Sequence, residues 1–95
     1  MPQARSASSI RVEQPTKDRL ASLQVTSWPI WTKEPSTFRW HYDDEETCYL
    51  LEGEATVRTS DGAVTFRAGD LVIFPKGLDC TWEITQGIRK QYRFG

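Results

Sequence analysis

The chain has 95 residues, 12 basic against 13 acidic side chains and a formal net charge of −1, which is the size of one domain and leaves no basic field to hold a phosphate backbone. No apolar run approaches the ~18 residues of a membrane-spanning helix and the N-terminus has no hydrophobic signal core, so a soluble, intracellular protein is expected, without membrane or nucleic-acid partners. A domain this small hides only about 60–70% of the surface its unfolded chain exposes, and its core must draw on four Trp, four Phe and three Tyr, each burying roughly 150–250 Å².

Residues 1–9 are small, polar and free of acid. They read either as a flexible or vector-derived tail or as the trimmed remnant of an organelle transit peptide, so the location is open between cytoplasm and an organelle such as a plastid. The domain proper is expected over 10–95. Ile10 and Val12 alternate with polar neighbours and predict a first strand. Pro15 to Val25, with Leu20 and Leu23 at helical spacing behind Thr16 and Asp18, predicts one short helix.

From Trp28 onward short apolar-alternating runs are separated by turn residues, the pattern of an all-β sandwich or barrel. Strands are expected near 28–33, 38–42, 47–52, 54–59, 63–67, 71–74, 79–84 and 88–94. Ser60-Asp61-Gly62 closes the clearest hairpin, because an Asp-Gly pair tolerates the positive φ of a tight turn. Gly69-Asp70, Pro75-Lys76-Gly77 and Gln86-Gly87 mark three more turns. The two cysteines are expected as free thiols in an intracellular chain.

The run Gly69-Asp70-Leu71-Val72-Ile73-Phe74-Pro75-Lys76-Gly77 and, upstream, Glu46 followed after six residues by Gly53 resemble the two motifs of a cupin. The resemblance covers roughly residues 28–94 and implies a single jelly-roll β-barrel preceded by the short helix. Glu46-Thr47-Cys48-Tyr49, Leu51-Glu52-Gly53 and Phe74-Pro75-Lys76-Gly77 resemble in particular the cupins of the (S)-ureidoglycine aminohydrolase type, which implies action on a ureide or related small nitrogen compound. The missing histidines and the single barrel depart from that branch, whose enzyme has two cupin domains.

Successive strand residues point to opposite faces, which decides how the metal positions of the family carry over. Phe38, Trp40 and Tyr42 form an apolar row, whereas Arg39, His41 and Asp43 form a polar one, so the apolar row faces inward and His41 faces solvent. The metal quartet that the resemblance implies then falls on Trp40, Tyr42, Glu46 and Cys80, where only the glutamate is retained. An indole offers no lone pair and a phenol stays protonated at pH 7 without help. The set falls short of the three or four ligands of a usual divalent site, so no metal and no cofactor are expected.

Cys48 and Leu50 follow Glu46 inward; Cys80, Trp82 and Ile84 form the inward row of a later strand. A carboxylate taken into such a cavity either stays protonated or finds a cationic partner. Lys90 is the candidate, since it shares a phase with Ile88, Tyr92 and Phe94, although long lysines also snorkel to the surface. Cys80 reads as a small buried hydrophobe or as a nucleophile that lacks an inward base. No catalytic residue is assigned. The expected site is a small-molecule pocket formed by Trp40, Tyr42, Glu46, Cys48, Cys80, Trp82 and Lys90. The alternative is an enzyme acting on a ureide, with or without metal. Cupins often pair through sheet edges, and a strand over Ile10–Gln14 is a candidate for exchange within a homodimer.

Overall fold

A computed structural model describes residues 10–95; the tail expected over 1–9 lies outside the described residues. The order of elements is β1 (Arg11–Glu13), α1 (Lys17–Leu23), a 3₁₀ turn (Val25–Ser27), β2 (Ile30–Lys33), β3 (Ser36–His41), β4 (Glu46–Thr59), β5 (Gly62–Arg67), β6 (Leu71–Phe74) and β7 (Asp79–Phe94). Among the described residues the architecture is the expected one: mostly antiparallel strand, one helix, a single β-barrel. Among the described residues no helix is long and apolar enough to cross a membrane.

Two strands are longer than expected. Gly53 and Gln86-Gly87 do not interrupt them; β4 and β7 run 14 and 16 residues and pair with each other along most of that length. The first half of β4 joins β6 and the second half of β7, and through them β1 and β2. The second half of β4 joins β5 and the first half of β7, which carries β3. The two long strands therefore belong to both walls of the barrel. They change wall at an irregularity between Leu50 and Ala55, where the register against β7 shifts.

Gly53 permits that passage. Its φ is +98°, a region that side chains rarely adopt, and a Cβ there would run into the carbonyl oxygens of Gly87 and Gln86. The Gln86-Gly87 turn signal and the expected strand break at Gly53 thus mark a point of close backbone approach between neighbouring strands. The irregularity also flips the phase of β4. Cys48 and Leu50 face inward before it, Ala55 and Val57 after it, and all four are fully buried.

The helix is shorter than expected. Thr16 caps it by accepting the Arg19 N–H at 3.1 Å, and Gln24 ends it in the left-handed conformation. Its side chains are at most half-buried, whereas Val25 and Trp28 just beyond it are buried. The Arg93 guanidinium lies 4.9 Å from the Trp28 ring centroid. Because Arg93 belongs to the outward row of β7, this segment covers the outside of the barrel wall. The first strand pairs with β6 of the same chain, Val12 opposite Val72.

Candidate functional site

The inward rows meet in a continuous apolar core that includes Leu50, Val57, Phe66, Val72, Phe74, Trp82 and Ile88. At one end of that core a cavity of about 260 Å³ opens to solvent, walled by Trp31, Phe38, Trp40, Tyr92 and Phe94 and floored by Tyr42, Glu46, Trp82 and Lys90.

Glu46 is the first residue of β4, opposite Phe74 on β6 and Phe94 on β7. Lys90 on β7 stands opposite Leu50 of β4 and Trp31 of β2. Four residues of strand, about 13 Å at ~3.3 Å per residue, separate the two backbone positions along the wall. Only two extended side chains leaning toward each other close that gap. They do: Lys90 Nζ is 2.7 Å from Glu46 Oε2, with side chains 8% and 3% exposed. The lysine therefore runs along the barrel interior instead of snorkelling out, and its ammonium lies 4.8 and 4.7 Å from the ring centroids of Trp31 and Trp82.

Tyr42 is held from two sides. Its backbone N–H donates to the Leu78 carbonyl at 2.9 Å and its carbonyl accepts the Gly77 N–H at 2.7 Å, so the Pro75-Lys76-Gly77 turn clasps it. Its ring stacks on Phe74, centroids 5.0 Å apart and planes 9° from parallel. Its hydroxyl donates to Glu46 Oε1 at 2.7 Å. Burial, reinforced by the Glu46 charge and by that hydrogen bond, pushes the phenol well above its ordinary range, so it is a donor throughout the neutral range.

Seven residues were expected around the cavity, and the structure brings five of them there: Trp40, Tyr42, Glu46, Trp82 and Lys90. Trp40 is inward in phase but stands at the rim, 48% exposed. Cys48 and Cys80 are not on the cavity wall. Both are free thiols packed into the core. Burial pushes Cys48 up to about 12, against the pull of Lys90, and Cys80 up to about 11 with help from Asp79 and Glu46. The Cys80 Sγ sits 3.7 Å from the Trp40 carbonyl oxygen. Neither is poised as a thiolate at pH 7.

Four wall residues escaped the sequence reading of the site. Tyr92 and Phe94 carried the correct phase beside Lys90, and Phe38 the correct phase beside Trp40. Trp31 had no usable signal, because its neighbour Ile30 is also apolar and alternation cannot choose between them; Ile30 is the outward one, 47% exposed. His41 lies on the exposed face, its Nδ1 2.7 Å from Asp79 Oδ1 and its Nε2 3.6 Å from Asp43 Oδ1.

The residues at the four positions implied by the cupin resemblance do not suit a divalent metal. Each Glu46 oxygen already has one acceptor site taken, by Tyr42 or by Lys90, and the Lys90 ammonium 2.7 Å away opposes a second cation there. The Cys80 thiol stays protonated and off the cavity wall, and Trp40 offers no lone pair.

The chain matches the family of EutQ-like cupin domains over residues 20–92. Among solved structures it is similar to a DUF861-family protein from Thermotoga maritima, with 48% identity and a TM-score of 0.89 over 92% of this chain and 100% of that one. It is also similar to the EutQ protein of Clostridium difficile, with 22% identity and a TM-score of 0.64 over 68% of this chain and 52% of that one. A DUF861-family protein from Pseudomonas syringae pv. tomato shares 22% identity and a TM-score of 0.64 over 94% of this chain and 32% of that one. The last two likenesses speak for the fold alone. No curated protein matches.

Proposed function

This chain belongs to the EutQ-like cupin family, and from that premise we propose that it binds one small organic molecule at the mouth of its barrel, without a histidine-bound metal. The observation that carries this reading is the cavity: aromatic walls around a floor with a few convergent polar groups, the usual make-up of a small-molecule site. At about 260 Å³ it lies just under the ~300–1,000 Å³ range of such pockets, so the ligand is small. Trp31, Trp40 and Trp82 all line it, and an occupant changes their surroundings.

The test is a thermal-shift and tryptophan-fluorescence screen of chelator-treated protein against ureides, amino acids and small aromatic compounds. A hit must raise Tm, perturb emission and be lost on Trp82→Ala or Trp40→Ala. If binding requires added metal, the metal-free part of the reading fails.

The second reading is an enzyme acting on a ureide. It rests on the motif resemblance and on a carboxylate and a phenol oxygen at the floor that can accept a hydrogen bond from a bound N–H group. Ammonia released from a ureide, and abolished by Glu46→Gln, would place this reading first.

A further inference from the structure

We propose that the Glu46–Lys90 pair makes the cavity selective for neutral, single-ring molecules that donate a hydrogen bond, such as phenols and aromatic amides, and closes it to organic acids and amines. The inference rests on the binding reading above and specifies its ligand class.

A count of donors and acceptors at the floor carries it. Among the described residues Lys90 is the sole cation on the cavity wall, and it has three N–H donors. One meets Glu46 Oε2 at 2.7 Å, and two indole faces lie within 4.8 Å of the nitrogen, so the ammonium is satisfied on every side. A ligand carboxylate would find no free cation and would face the Glu46 charge. Glu46 is the sole anion on the wall among the described residues. A carboxylate offers about four acceptor sites, and Tyr42 and Lys90 take one on each oxygen. The spare polar capacity of the charged pair is therefore acceptor capacity.

A ligand cation would be drawn to those sites but would sit beside an ammonium that already holds the Trp31 and Trp82 faces. With formal charges of +1 and −1 the floor is neutral, and either ionic ligand gives up its hydration without gaining a counter-ion. A neutral O–H or N–H donor loses little on entry and satisfies an open Glu46 site. The cavity volume of about 260 Å³ sets the size at roughly one ring.

Removing either partner should reverse the preference in opposite senses. In Glu46→Gln the lysine is left without its counter-ion and becomes an anchor for acids. In Lys90→Met the glutamate loses its counter-ion, removal of the ammonium leaves the Trp31 and Trp82 faces to the ligand, and amines are favoured.

The probes are phenol, benzamide, benzoate and benzylamine, titrated by calorimetry at pH 7. In the wild-type protein phenol and benzamide should bind at least tenfold more tightly than benzoate and benzylamine. Benzoate should move to first place in Glu46→Gln and benzylamine in Lys90→Met. Wild-type protein that takes benzoate or benzylamine as well as the neutral pair overturns the selectivity while leaving the binding site in place. If none of the four binds but another class from the screen does, the ligand class is wrong and the site stands. If no compound of any class binds, both inferences fall. The wild-type ranking decides the matter even if a variant does not fold.

Discussion

The buried pair also dictates how the protein should respond when it is broken. Glu46 and Lys90 have side chains 3% and 8% exposed and sit 2.7 Å apart. Removing one partner of such a pair strands the other charge out of water and costs about 3–5 kcal/mol. In Lys90→Met the stranded carboxylate keeps only the Tyr42 hydroxyl, so the upper part of that range is expected. In Glu46→Gln the side chain can still accept from Tyr42 or from Lys90 but not well from both, and the ammonium keeps its two indoles. About 3 kcal/mol is expected there. For a domain of 60–100 residues each kcal/mol moves Tm by roughly 4–8 °C, so Glu46→Gln should melt about 12–24 °C below wild type. The double variant strands neither charge. Its cost should fall short of the summed single costs by 2 kcal/mol or more, a coupling near the top of the range for contacting residues, about 0.5–3 kcal/mol. Urea unfolding of the four proteins, without ligand, measures the cycle. Single costs under about 1 kcal/mol with additivity inside about 0.5 kcal/mol would refute the reasoning, because an exposed pair behaves that way.

Gly53→Ala should cost more than about 2 kcal/mol by urea unfolding, since it adds a Cβ at φ +98° against the Gly87 and Gln86 carbonyls; a loss below about 0.5 kcal/mol would mean the strands part easily there. Both thiols should resist an aromatic disulfide reagent at pH 8 until denaturant is added, Cys48 more completely than Cys80. Stability should fall above pH 9, because an unfolded thiol ionises near 9 whereas the folded ones hold their protons to about 12 at Cys48 and about 11 at Cys80. The contribution is whole below 9 and is lost progressively as pH rises to about 12; Cys48→Ala should flatten that slope by up to one proton, about 1.4 kcal/mol per pH unit. His41→Ala, on the exposed face, should shift stability by no more than about 0.5 kcal/mol and leave ligand binding intact; loss of binding would mean the mouth extends to the Asp43–Asp79 side.

Strand phase was enough to find the residues at the floor of the cavity, and the reason is physical. A lysine in step with Ile88 and Tyr92, and a glutamate in step with Cys48 and Leu50, each break an apolar row, and such breaks on two inward rows mark groups that need each other. What phase cannot supply is position along the barrel. Trp40 and Cys80 lie opposite each other on β3 and β7, yet one stands at the rim and the other is packed away from the cavity, because the strands twist and tilt across the mouth. The Gln86-Gly87 signal misled for a related reason. A glycine serves a turn, or it lets two backbones meet, and only the pairing with Gly53 tells which.

Two features of this small domain work against its stability, and both occur in the same place. The apolar core is continuous without Glu46 and Lys90, and a buried ion pair is often replaceable by apolar side chains with no loss or even a gain. Of the three large apolar side chains left exposed among the described residues, two, Trp40 and Phe94, each 48% exposed, stand at the mouth of the cavity whose floor the pair forms. A single exposed aromatic is unremarkable in a soluble protein. The coincidence of two with a costly buried charge pair is harder to assign to packing, since a fold that required neither would be better served by leucines at all four positions. Departures from the rules of a stable fold tend to gather at functional sites. By that measure the barrel mouth, with Glu46 and Lys90 at its centre, is where this fold departs furthest from a purely stable design, which is what the proposed binding reading requires.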